Sequence, residues 1–122
     1  MKMITRLERE SHRIVFNIII AILAIGSVVL FHRNTLLTGI ILILVSILGL
    51  FVWKSKITLA VFLFCAIAFG VAEIFVASFK IWTYAIPTSL GVPIWLFLLW
   101  GITGAFIYQT SKEIKKLGVK DE

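Results

Sequence analysis

The chain has 122 residues, room for one domain, and is 61% hydrophobic with only 15% charged residues. Its mean hydropathy of +1.09 argues against an ordinary soluble domain, which needs a polar shell to face water. The net charge of +6 sits in clusters between apolar runs, so it is read as membrane topology and contact with anionic lipid head groups, not as a nucleic-acid footprint.

Residues 1–13, MKMITRLERESHR, carry Lys2, Arg6, Arg9 and Arg13 against Glu8 and Glu10. Met3, Ile4 and Leu7 can share one helical face, which predicts a short helix lying in the head-group layer. The apolar run that follows is longer than the core of a secretory signal and ends in Leu30, Phe31, His32 and Arg33 with no small-residue cleavage site. It is read as a retained helix. The first helix is expected over about 14–31 and the second over about 36–53, each near the lower end of the roughly 17–25 residues that cross the hydrocarbon. The link between them, HRNT, is so short that it forces an antiparallel hairpin.

Lys54, Ser55 and Lys56 form an equally short second link, and the third helix is expected over about 57–79. Pro87 and Gly91 break the next stretch, 80–92, into a loop rich in tryptophan and proline. Pro93 stands where a helix can start, since its missing N–H costs nothing in the first turn. A fourth helix is expected over about 90–109, followed by a polar tail. The expectation is an all-α fold: residues 1–122 as one integral membrane domain, a four-transmembrane-helix bundle.

Lysine and arginine set its orientation. The N-terminal segment holds four, the second link two and the C-terminal tail four, against Arg33 and Lys80 on the other side. The positive-inside rule then predicts an N-in/C-in protein of the plasma membrane, with the 80–92 loop facing outward.

Glu73 is the only acid within a membrane-length apolar segment. A charged carboxylate at such depth costs about 2.5–3.5 kcal/mol on insertion scales, so it is a functional candidate by default. Ala66, Gly70 and Ala77 share its helical face, and small residues there point that face into the bundle. Ser27, the indole of Trp100 and Tyr84 are its candidate partners. Trp82, Tyr84 and Trp95 read most simply as an interfacial aromatic belt. The sharper reading makes the loop a rigid cover over the acid. The candidate ligand-binding residues are therefore Glu73, Trp82, Tyr84, Trp95 and Trp100.

The remaining polar and small residues carry blander readings. Gly101 and Ala105 form a small-xxx-small pair that predicts close helix contact, and Asn17 is an interhelical hydrogen-bond former. Cys65 is the lone thiol, and His12 and His32 bracket the first helix at opposite ends, so no metal site and no cofactor is expected. There is no nucleotide loop, nucleophile elbow or zinc signature.

The order Glu73, Trp82-x-Tyr84, Gly91-Val92-Pro93-Ile94-Trp95 and Trp100 resembles the C-terminal part of uncharacterised small multi-pass bacterial membrane proteins. More distantly it is similar to integral membrane proteins of carotenoid biosynthesis. In that second family an acid and a Gly-x-Pro helix start line a pocket for a polyisoprenoid, which implies an apolar ligand here. Lycopene-cyclase-like proteins carry acids straight after the Gly-x-Pro, where this chain has Ile94 and Trp95. In length and number of spans the chain also resembles small multidrug transporters, whose essential acid lies in the first helix.

Three functions are consistent with these residues. The leading one is binding of a lipid-like or apolar ligand, or of a partner helix, near Glu73. The second is a proton-coupled transporter acting as a dimer, and the third an isoprenoid- or lipid-modifying enzyme with Glu73 as general acid. Four short helices leave little room for an internal pathway, so a homo-oligomer or larger membrane complex is expected beside the bilayer itself.

Overall fold

The computed structural model describes residues 2–81 and 91–118, with side chains from residue 8 onward. Among the described residues there are four α-helices and no strand: α1 (Lys2–Phe31), α2 (Thr35–Trp53), α3 (Lys56–Ser78) and α4 (Trp95–Lys116). The head-group helix expected before residue 14 and the first apolar helix are one continuous α1 of 30 residues. No proline or glycine separates them, and Arg9, Glu10 and Arg13 carry the helix through the charged stretch.

Local chemistry sets the turns. Asn34 caps α2, its Oδ1 accepting from the Leu37 N–H at 3.1 Å, and the Thr38 hydroxyl donates back to the Phe31 carbonyl. At the other end of α2, Lys54 adopts a left-handed backbone (φ 51°) and its N–H bonds the Leu50 carbonyl at 3.1 Å. Ser55 then caps α3 through its hydroxyl, which accepts from the Thr58 N–H at 3.1 Å. Two residues thus close one helix and open the next. Before α4, Gly91 has φ 87°, a conformation open to glycine, and Pro93 accepts at its carbonyl from the Leu96 N–H. The helix begins at Trp95, later than the expected start near residue 90. It continues past residue 109 to Lys116, where two lysines complement the C-terminal dipole and Gly118 (φ 100°) follows.

α4 packs against all three other helices, most extensively against α3. Its buried residues include Gly101, Ala105, Gln109 and Glu113, spaced by four along one face. The core around it contains Ile20, Leu42, Phe62, Trp95 and Ile102. The α3–α4 contact is close because glycines line it. A Cβ on Gly101 would lie 2.9 Å from the Phe62 ring, and one on Gly104 would lie 2.7 Å from the Cys65 Cβ. One on Gly70 would run into the Phe97 ring.

Polarity is inverted relative to a water-soluble bundle. Leu30, Leu36, Phe51 and Phe64 are each about 70% exposed, while Asn17, Thr38, Thr58, Gln109 and Glu113 are buried. Among the described residues three segments are long and apolar enough to cross a membrane: Glu8–Phe31, Thr35–Trp53 and Lys56–Ser78. α4 is not among them, because residues 109–116, QTSKEIKK, are strongly polar.

Candidate functional site

Glu73 lies on the α3 face that meets the start of α4. Gly70, one turn earlier, is buried against Phe97, and the Ala77 methyl lies 3.6 Å from a Cβ position at Gly91. The stripe of small residues therefore turns inward at these two positions. Glu73 itself is half-buried and engaged. Two of its expected partners are otherwise disposed. The Ser27 hydroxyl donates to the Ala24 carbonyl of its own helix at 2.8 Å, and Trp100 Nε1 has no hydrogen-bond partner. Trp82 and Tyr84 fall outside the described residues. Trp95 is buried in the core, with its Nε1 also without a hydrogen bond.

Trp100 belongs to a different feature. It stacks on Phe69 with ring centroids 4.8 Å apart and planes 24° apart. These two rings close one end of an apolar groove of about 430 Å³ between α3 and α4, which continues past Cys65 and Gly104 to Tyr108 and Ser111. Gly104 shapes it: with no side chain there, the wall is set back to Cys65. Phe69 is one turn of α3 from Glu73, so the groove ends just short of the acid.

At the opposite end of the bundle the structure assembles a polar layer that sequence reading dispersed over four helices. Asn17 of α1 joins two neighbours: its Oδ1 accepts from Trp53 Nε1 at 2.7 Å, and its Nδ2 donates to Thr110 Oγ1 at 3.2 Å. Gln109 of α4 donates from Nε2 to Thr58 Oγ1 of α3 at 3.0 Å. One turn further out, Glu113 is 3% exposed and faces Arg13 at 3.8 Å and Lys116 at 4.0 Å. Both separations exceed a hydrogen bond, and Glu113 Oε2 accepts none. Glu10 is buried as well, at 4% exposure.

The interhelical role expected of Asn17 is the one it plays. Gln109 and Glu113 went unnoticed because they follow the apolar part of α4 and look like the start of a solvated tail. Their signal was the spacing of four that continues the Gly101–Ala105 stripe. Replacement of Gln109 by leucine leaves the Thr58 hydroxyl to its own backbone and is expected to cost about 0.6 kcal/mol, the mean for such bonds inside a bilayer. Thermal unfolding in detergent measures it; a loss above roughly 2 kcal/mol would mean that more than this bond is broken.

Beside this layer opens a pocket of about 550 Å³. Arg13, Lys54 and Lys112 ring it, Glu113 and Gln109 form its inner side, and Phe16 and Trp53 give it an aromatic wall with rings 6.1 Å apart. Comparison of the chain with family models, with curated proteins and with solved structures finds no match. Among the described residues no group of three histidine, cysteine or acidic side chains is placed to hold a metal ion.

Proposed function

We propose that the chain is a four-span integral membrane protein, with both termini on the cytoplasmic side, that binds a lipid-like molecule along the α3–α4 groove. The observation that carries this reading is the groove itself, an apolar channel of about 430 Å³ opening onto the exposed apolar surface of the bundle. A groove so lined holds a hydrocarbon chain. α4 joins the three apolar helices as the central span, its polar last turns emerging at the basic end. That end gathers Arg9 and Arg13, Lys54 and Lys56, and Lys112, Lys115 and Lys116, which supports a cytoplasmic assignment by the positive-inside rule.

The full chain, reconstituted in phosphatidylcholine vesicles with a diazirine-bearing acyl probe, tests the proposal. Adducts are expected to concentrate on residues 61–69 and 100–111, and Ile107→Trp, which fills the groove, is expected to reduce them. Labelling in simple proportion to surface exposure would overturn the assignment. A disulfide between the Cys65 thiols of two copies, formed in place of adducts, would give the groove to a second copy of the chain.

Glu73→Gln addresses the acid one turn away. The variant is expected to keep its helical content and lose labelling by about twofold to twelvefold, the weight of one hydrogen bond of about 0.5–1.5 kcal/mol. Unchanged labelling would remove Glu73 from the site.

A further inference from the structure

The groove leaves the pocket at the basic end unexplained. We infer that this second pocket binds the phosphate monoester head group of a membrane lipid, of the phosphatidic acid type. The inference rests on the proposal that the basic end lies at the membrane surface.

Charge comes first. Arg13, Lys54 and Lys112 meet a single carboxylate, Glu113, which leaves two positive charges around the cavity. Neither Lys54 nor Lys112 has an ion-pair partner among the described residues; each ammonium rests on a ring outside the pocket, 5.9 Å from the centroid of Phe51 and 5.5 Å from that of Tyr108, and swings off that ring to reach an anion in the cavity. Basic side chains gathered at one cavity without acids of their own call for an anion. A phosphate monoester carries about −1.5 to −2 at neutral pH, which matches the excess, whereas a phosphodiester carries only one negative charge.

Position comes second. Lys54 occupies a left-handed backbone (φ 51°) that favours glycine or asparagine, and it closes α2 directly beside Trp53, which walls the pocket. Arg13 lies 3.8 Å from buried Glu113, and Lys112 precedes that acid on α4. Three helices therefore each bring one cation, and the Asn17–Trp53 hydrogen bond fixes two of them across the cavity.

Shape comes third. Phe16, Val52 and Trp53 give the pocket an apolar side that continues into the apolar α1–α2 surface. A free phosphate would leave that side empty; a lipid phosphate places its glycerol and first methylenes there. The shared chemistry is the phosphate, and the apolar wall selects the lipid as its source.

Native mass spectrometry of the full chain released from neutral detergent tests the inference, with dioleoyl phosphatidic acid, dioleoyl phosphatidylglycerol and glycerol 3-phosphate as the probes. Phosphatidic acid is expected to be retained at least about tenfold more tightly than phosphatidylglycerol, as one extra charge-assisted contact implies. Lys54→Gln with Lys112→Gln is expected to abolish that preference. Lys56→Gln with Lys115→Gln, which removes the same charge from exposed positions outside the pocket, is expected to preserve it, as is Lys54→Arg with Lys112→Arg. Equal retention of both lipids, or equal loss in the two glutamine pairs, would reduce the effect to diffuse attraction and overturn the inference. Retention of glycerol 3-phosphate as tight as that of phosphatidic acid would overturn the lipid source. Alkaline extraction of membranes separates the two levels: a chain that leaves the membrane defeats the membrane assignment, and a chain that stays but ignores phosphatidic acid defeats the head-group site alone.

Discussion

Gly104→Ala is expected to destabilise the bundle by about 1–3 kcal/mol, although alanine is the better helix former by about 1 kcal/mol. The new methyl would lie 2.7 Å from the Cys65 Cβ, an atom fixed to the α3 backbone that no rotamer change can move. The helices must part, and α3 with α4 is the most extensive contact in the molecule. Packing between small residues is a main source of helix association in lipid, where no hydrophobic force draws helices together. Gly104→Leu is expected to be worse still, while Cys65→Gly added to Gly104→Ala is expected to recover most of the loss, because it removes the atoms that the methyl meets. Reversible unfolding in mixed micelles measures the series. Wild-type stability in Gly104→Ala would show that the helices are not in contact there. Gly70→Ala is milder by the same reasoning, since the atoms met belong to the Phe97 ring, which can swing.

The second large effect belongs to Asn17. Its replacement by leucine removes the acceptor of Trp53 Nε1 and the donor to Thr110 together, so that α1 loses one hydrogen bond to α2 and one to α4 while the Arg13–Glu113 pair remains. The expected cost is about 1–3 kcal/mol, more than for Gln109, because two hydrogen bonds are lost and a half-buried indole N–H is left without its partner. Trp53→Phe removes that N–H. In the double variant the loss is therefore expected to be smaller than the sum of the two single losses, with a coupling of about 0.5–3 kcal/mol. Additive losses would contradict the hydrogen bond.

How much of the molecule is legible in its sequence differs from element to element. Helix existence and the two tight links follow from residues alone: HRNT and KSK are too short for anything but hairpins, and Asn34 and Ser55 cap where the apolar runs resume. Helix ends follow less well. The charged start of α1 and the polar end of α4 both look like tails, yet the two helices meet there, through Arg13 with Glu113 and Asn17 with Thr110. The candidate site was read from Glu73 because a lone acid in an apolar run stands out. Glu113 did not stand out, since an acid among lysines on a tail is usually solvated.

Four helices, all four expected as spans, the short turns between the first three, and the clustering of lysine and arginine at their ends are legible in the residues, because hydropathy, capping and chain reach are local properties; α4 is absent from the three apolar segments because its last turns are polar. It takes the packed structure to show that α4 meets all three other helices, that Gly104 opens a groove beside Cys65, and that Asn17, Trp53, Gln109 and Glu113 gather at one end of the bundle. Those facts depend on which faces of separate helices touch, and residues as far apart as 17 and 110 come together only when α1 packs on α4.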